Sequence, residues 1–134
     1  MKYILKLLSG LVLLSVIGCS IDKPAPGYMY MWEKPGADFT EVAKALLECG
    51  MPTPYDKDPE SRKLNYNANA TIDACMLQAG FRYKYDVGGG WCGNHKAENL
   101  PICRPGAIIS QRSVKKRLNS PYCKKYKNAP ECKP

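Results

Sequence analysis

Six cysteines from residue 49 onward restrict the fold of this chain more than any other feature. They are Cys49, Cys75, Cys92, Cys103, Cys123 and Cys132, and a seventh, Cys19, lies apart at the end of an apolar leader. An even set of cysteines in an exported chain predicts three disulfides, which stabilise a domain whose apolar core is small. Six cysteines allow fifteen pairings. We predict the sequential one: Cys49–Cys75, Cys92–Cys103 and Cys123–Cys132.

Residues 1–18 have the pattern of an export signal. Lys2 and Lys6 precede an apolar run that is too short to span a bilayer comfortably. The run ends in Val16-Ile17-Gly18-Cys19, which resembles the lipobox of bacterial lipoproteins. The resemblance implies a lipid on Cys19 and cleavage after Gly18. The alternative is an ordinary secretory signal with a chance cysteine, but lipidation also explains the odd number of cysteines.

The remaining 116 residues suffice for one small domain. We predict a lipidated tether over residues 19–27 and a single disulfide-rich domain over residues 28–134. The tether is rich in Ser, Pro and Gly and reaches about 30 Å when extended. Ser20, rather than Asp, follows the lipid site, as in many outer-membrane lipoproteins. The expected location is therefore the bacterial cell envelope, at the outer membrane.

A pair of helices, at about residues 38–49 and 68–79, is the best-supported part of the predicted fold. In the first, Asp38 and Glu41 form a capping box, and Gly50 ends the helix. The first helix has its apolar face at Phe39, Val42, Leu46 and Cys49, and the second at Ile72, Cys75, Met76 and Ala79. The second helix begins near Asn67 or Asn69 and ends before Gly80. Cys49 and Cys75 lie on the apolar faces, so a bond between them would cross-link the helices.

Aromatic residues alternate in two other segments, 28–32 and 81–85. This pattern favours a two-stranded sheet, although residues 28–32 are also compatible with an aromatic anchor at the membrane interface. We interpret residues 51–66 as a surface loop and the glycine-rich residues 87–94 as a hairpin end or loop. Short helices are expected after Ser113 and after Ser120-Pro121. The fold class is therefore α+β, with an irregular basic C-terminal third.

Positive charge is concentrated in that C-terminal third. Residues 19–95 carry eight basic and ten acidic side chains, whereas residues 96–134 carry ten basic and two acidic ones. The candidate anion-binding residues are Arg112, Lys115, Lys116, Arg117, Lys124, Lys125 and Lys127. Tyr122 and Tyr126 lie between them, as stacking residues do in single-strand nucleic-acid binders. Expected ligands are anionic lipid, lipopolysaccharide or nucleic acid; the alternative is a solvated basic face without a partner.

No motif indicates a cofactor or a resident metal, and we predict a protein that is not an enzyme. His95, the single histidine, lies near Cys92 and Cys103, so a cysteine nucleophile or three zinc ligands are formal alternatives. Both require free thiols, which an exported domain with paired cysteines does not offer. A small hydrolase that uses His95 or a carboxylate pair is the remaining alternative. The acidic candidates are Asp38, Glu41, Glu48, Asp73 and Asp86.

A further resemblance rests on Trp32-x-Lys34-Pro35-Gly36, Glu41, Cys49, Cys75-Met76 and Gly80-Phe81. Over residues 1–85 this pattern is similar to that of a broad group of small bacterial lipoproteins, many of them linked to prophages. The resemblance implies a lipid-anchored envelope protein and transfers no activity. The expected function is a non-enzymatic structural or interaction module. Its partners would be the membrane, through the lipid on Cys19, anionic envelope components, or an envelope or phage protein.

Overall fold

The computed structural model describes residues 28–55, 58–84 and 90–134. The predicted leader (1–18), the lipid site Cys19 and the tether (19–27) lie outside the described residues, as do residues 85–89 of the glycine-rich segment. The described residues form a small disulfide-linked α+β domain. Its helices are α1 (Phe39–Glu48), α2 (Pro59–Arg62), α3 (Tyr66–Gln78), α4 (Gly90–Asn94), α5 (Val114–Leu118) and α6 (Pro121–Lys125). Four 3-10 turns complete them, at Tyr28–Met31, Lys96–Glu98, Pro101–Cys103 and Pro130–Cys132.

The sheet is shorter than the aromatic alternation predicts. Strands β1 (Trp32–Glu33) and β2 (Arg82–Tyr83) pair antiparallel, with Trp32 opposite Tyr83 and their rings 4.8 Å apart. The two segments therefore meet as expected, but residues 28–31 form a 3-10 turn instead of a strand. In this turn Met29 is buried in the core, while the ring of exposed Tyr30 lies 4.5 Å from that of Phe39. Contacts with the core and with α1 thus replace strand pairing.

Helices α1 and α3 end in the same way. Gly50 and Gly80 both adopt a positive φ, which glycine tolerates because it has no Cβ. After each glycine, a buried residue donates its backbone N–H to a carbonyl in the last turn: Met51 to Leu46 at 2.9 Å, and Phe81 to Met76 at 3.1 Å. This Schellman arrangement satisfies the helix carbonyls and directs the following side chain into the core.

The helix starts also depend on side-chain caps. Asp38 accepts a hydrogen bond from the Glu41 backbone N–H at 2.9 Å, as predicted. Helix α3 begins at Tyr66, earlier than predicted, because Asn65 caps it by accepting from the Ala68 N–H at 2.8 Å. Asn67 and Asn69, the predicted starting points, therefore both lie inside the helix.

Residues 51–55 do not belong to the surface loop that is predicted over residues 51–66. Met51, Thr53 and Tyr55 are buried, and Pro54 is among the most buried large side chains. The Ser61 hydroxyl, at the third position of α2, donates to the Tyr55 carbonyl at 2.9 Å. The segment therefore covers one side of the core and turns back before α3.

The disulfides join Cys49 to Cys75, Cys92 to Cys103 and Cys123 to Cys132, the same pairs that the sequence analysis selects. The first is buried between α1 and α3, and its residues belong to the apolar core. The second links α4 to the 3-10 turn at Pro101–Cys103. The third attaches the last turn of the chain to α6. Each part of the domain therefore has its own covalent cross-link.

The later helices agree in part with the sequence. Ser113 caps α5 by accepting from the Lys116 N–H at 3.3 Å, and Ser120 caps α6 by accepting from the Cys123 N–H at 3.1 Å. Both caps are as predicted. Residues 90–94 form α4, so the end of the glycine-rich segment is helical and not a loop. In the described ranges no helix combines the length and the apolar character that a membrane crossing requires.

Candidate anion-binding surface

The structure divides the seven predicted anion-binding residues into two groups. Arg112 and Arg117 are turned toward acidic groups of the domain, and Arg117 is only 3% exposed. The other five are exposed lysines. The candidate surface is therefore smaller than the sequence predicts.

Arg117 lies on the inner side of α5. Its Nε donates to Glu48 Oε2 at 2.8 Å, and its Nη1 donates to the backbone carbonyls of Glu131 and Lys133. A guanidinium that is almost fully buried and that donates to a carboxylate and two carbonyls is not accessible to an external anion. The prediction that Arg117 binds an external anion is wrong, because this side chain attaches the C-terminal turn to α1.

Arg112 has a similar internal role at the surface end of the same network. Its Nε donates to Glu48 Oε1 at 3.1 Å, and its Nη1 donates to Glu41 Oε1 at 2.8 Å. Glu48 thus accepts one arginine on each carboxylate oxygen and is only 7% exposed. Two arginines around one buried carboxylate compensate its desolvation. Arg112 therefore uses two of its donors inside the domain, and its role in anion binding stays a prediction.

Tyr122 is not the stacking residue that its position among lysines suggests. It is buried, its hydroxyl donates to Glu131, and its ring lies 5.8 Å from that of Tyr55. Burial, followed by the hydrogen bond to Glu131, raises the pKa of Tyr122 above the ordinary value of 10.0. Tyr126 is half-buried, and Lys125 Nζ lies 5.2 Å from its ring centre. Of the two tyrosines, only Tyr126 reaches the surface.

The five exposed lysines form what we call the lysine surface: Lys115, Lys116, Lys124, Lys125 and Lys127. On α6, Tyr122 and Cys123 occupy the buried side, so Lys124 and Lys125 project from the opposite side. Helices α5 and α6 contact each other. Within the described ranges, no ion pair involves any of the five lysines. Their charge is therefore available to a partner.

A second candidate site surrounds His95. Its imidazole lies 4.7 Å from the Trp91 ring and 4.6 Å from the Tyr66 ring, and its Nδ1 lies 3.7 Å from Glu98 Oε1. An open cleft of about 330 Å³ adjoins it, lined by Cys92, Gly93, His95, Lys96, Asn99, Leu100 and Cys103. Cys92 and Cys103 are bonded to each other, so neither supplies the thiolate that a nucleophile or a zinc ligand requires. In the described part of the chain, no three His, Cys, Asp or Glu side chains group as metal ligands.

The acidic candidates for a hydrolase have other partners. Glu41 and Glu48 share Arg112, and Asp38 caps α1. Asp73 Oδ2 lies close to Gly90, at the start of α4, and Asp86 lies outside the described residues. Both oxygens of the Glu48 carboxylate accept hydrogen bonds from arginines, so the structure gives this side chain a role within the fold.

The residues of the lipoprotein-like pattern meet around the end of α3. Lys34 Nζ donates to the Ala79 carbonyl at 2.9 Å and lies 5.3 Å from the Phe81 ring centre. A lysine at a helix C-terminus stabilises the unpaired carbonyls there. The pattern therefore encodes the junction between the first turn and the helix pair, which is a structural role.

Sequence reasoning named Glu48 only as a candidate carboxylate of a hydrolase and gave Glu131 no role, so it missed both as partners of residues in the C-terminal third. The sequence indicated Glu131 as a candidate partner, because it is one of two acidic residues in a segment with ten basic residues. Sequence reasoning also missed Ile108 and Ile109, which the structure exposes. Two adjacent isoleucines in a segment of polar, Pro and Gly residues were visible in the sequence.

No family model matches this chain, and comparison with curated proteins and with solved structures gives no significant match.

Proposed function

We propose that this protein is a lipid-anchored component of the bacterial cell envelope that binds anionic envelope material through the lysine surface. The observation that carries the proposal is the separation of the two kinds of cation. Arginines make the internal ion pairs, whereas five lysines on and beside α5 and α6 remain exposed without an acidic partner in the described ranges. Solvated lysines of this kind bind anions mainly as point charges.

The anchor is supported by the cysteine pairing. Three disulfides use all cysteines from residue 49 onward, so Cys19 is the one cysteine left over. Several acyl chains on that residue would hold the protein at the membrane, because each buried methylene contributes about 0.8 kcal/mol. The role is one of binding and not of catalysis.

The anchor is tested by the intact mass of the protein purified from its host membrane. We expect the chain to begin at Cys19 with the added mass of its acyl chains. Reduction should add six hydrogens, two for each disulfide. A product that retains residues 1–18, or that begins at an unmodified residue, would contradict the anchor.

The binding role is tested with the mature chain carrying C19S, which removes the lipid. We expect binding to polyphosphate to weaken by about 100-fold between 50 and 200 mM salt, since about five cations release counterions. Changing the five lysines to glutamine should abolish this salt-sensitive binding. The matched control changes Lys84 and Lys96, which are exposed elsewhere, and should bind nearly as well as the wild type. Equal binding by both variants would refute the role of the lysine surface.

A further inference from the structure

An apolar group of side chains is exposed next to the lysine surface. Ile108 is 91% exposed, and Ile109, Val114 and Leu118 are also exposed. All four lie within eleven consecutive residues. Isolated exposed apolar residues are common, but four exposed aliphatic side chains in so short a stretch of chain favour an interaction site. We call these four residues the aliphatic patch.

Basic residues border the aliphatic patch on both sides along the chain. Exposed Arg104 precedes it, and exposed Lys115 and Lys116 lie within its helical part. Ile109 is four residues before Ser113, so the extended backbone places it no more than about 14 Å from the start of α5. The aliphatic patch and the first lysines of α5 can therefore meet the same surface.

The segment that carries the isoleucines is attached at both ends. At its start, Cys103 is bonded to Cys92, and the Ile102 N–H donates to Asn67 Oδ1 at 3.0 Å. At its end, the Ser113 N–H donates to the Glu48 carbonyl at 3.1 Å, and Arg112 pairs with both Glu41 and Glu48. The backbone thus projects Ile108 and Ile109 from a fixed base, which lowers the entropy lost on binding.

From this arrangement we infer that the partner of the lysine surface is the surface of an anionic phospholipid bilayer, into which Ile108 and Ile109 insert. Apolar side chains surrounded by lysine and arginine are suited to the boundary between acyl chains and phosphate head groups. A soluble polyanion would use the lysines but gain nothing from the isoleucines. The inference rests on the proposed function and names the anion that the lysine surface meets.

Because the lipid anchor holds the protein at the membrane, weak insertion of the isoleucines is sufficient for contact with the bilayer. A lipid on Cys19 would keep the domain within about 30 Å of the bilayer, so the local concentration of head groups is high. Insertion of the isoleucines would then fix the orientation of the domain. The His95 cleft belongs to a different part of the chain and keeps its own accessibility.

The test uses the mature C19S protein, vesicles of phosphatidylcholine with or without phosphatidylglycerol, and polyphosphate as a soluble anion. We expect salt-sensitive binding to the anionic vesicles. The double variant I108S/I109S should bind these vesicles at least tenfold more weakly and bind polyphosphate as the wild type does. The matched control is L77S, since Leu77 is an exposed aliphatic residue on α3, and it should leave both affinities unchanged.

Insertion itself is measured with I108W and lipids brominated on their acyl chains. After subtraction of the wild-type signal, we expect the fluorescence of the new indole to shift to the blue and to be quenched by the brominated vesicles. Unquenched fluorescence on bound protein would overturn the inference. So would equal vesicle binding by I108S/I109S and the wild type.

The two proposals fail in different ways. If the wild type binds polyphosphate in a salt-sensitive manner but does not bind anionic vesicles, the bilayer inference is wrong and the lysine surface serves another anion. If it binds neither, both are wrong. If I108S/I109S loses both ligands equally, the isoleucines support the fold and do not contact lipid.

Discussion

The helix pair and the C-terminal segment of this domain share an apolar core but differ in their polar contacts. Helices α1 and α3 pack through apolar side chains and a buried disulfide between residues 26 positions apart. The segment from Arg112 onward places Tyr122 in the same core, and it also attaches to α1 through two arginines on Glu48. Its disulfide closes a separation of only nine residues and does not connect it to the helix pair.

The difference shows how a basic segment can be both part of the fold and a binding surface. The guanidinium groups of Arg112 and Arg117 reach carboxylate and carbonyl oxygens in defined directions, which suits ion pairs inside a protein. The ammonium groups of the lysine surface stay solvated. One segment thus uses its arginines to attach itself to α1 and leaves its lysines for a partner.

The largest effect is expected when Arg117 is replaced, because this variant tests whether ion pairs hold the C-terminal segment. We expect R117M to destabilise the domain by about 3 to 5 kcal/mol, because Glu48 and two carbonyls lose their buried donor. Urea unfolding under oxidising conditions measures the change. The neighbouring K116M replaces an exposed cation and should stay within about 0.5 kcal/mol of the wild type. Equal stability of the two variants would show that the ion pairs do not hold the segment.

Removing single disulfides separates the two regions. The chain-entropy model gives a loss of about 3.5 kcal/mol for C49A/C75A and about 2.7 kcal/mol for C123A/C132A. We expect the second variant to speed amide hydrogen exchange in residues 112–134 while α1 and α3 stay protected. The first variant should speed exchange in both helices. Similar exchange patterns in the two variants would mean that the domain opens as one unit.

A smaller effect is expected at Tyr122. Y122F leaves the Glu131 carboxylate without its buried donor, which costs about 1 to 3 kcal/mol. Because the folded state raises the pKa of Tyr122, the stabilisation is complete below pH 10 and is lost as the pH rises above that value. Unfolding at several alkaline pH values should therefore show a shallower loss of stability in Y122F than in the wild type. Y30F, at an exposed tyrosine, should keep the wild-type slope.

The smallest expected effect concerns Glu41, which is compared with Glu48 on the same helix, α1. E41Q should cost about 0.2 to 1 kcal/mol, because the Glu41 side chain is 41% exposed and its pair with Arg112 is screened by water. Salt should weaken this contribution. E48Q removes the buried charge between two arginines and should cost several times more, with little dependence on salt. Equal losses measured by urea unfolding at low and high salt would contradict the distinction.

Local features of the fold were predictable from the sequence. The spacing of Val42, Leu46 and Cys49 gives one helix face, and Gly50 and Gly80 end their helices because few other residues adopt the positive φ required there. Burial of Cys49 and Cys75 on facing helices follows from the same spacing. Residues 28–31 were predicted wrongly, because the contacts of Met29 with the core decide against the alternating pattern.

The sequence did not predict which basic residues form internal ion pairs and which are exposed. Arg112 and Arg117 lie 64 and 69 positions from Glu48, and no pattern along the chain connects them. Lys116, one position before Arg117, is exposed only because the short helix turns it away from α1. The burial of Tyr122 was not predictable either, because the lysines that follow it at positions 124 and 125 are exposed.

By itself, the amino-acid sequence determined the helix pair, the cap of its first helix and the concentration of positive charge after residue 95, and it allowed the sequential disulfides as one of fifteen pairings. The tertiary structure alone decided which of those charges are internal and which are available to a partner. The physical reason is range: periodicity and capping act over a few residues, whereas ion pairing and desolvation depend on groups that only folding brings together.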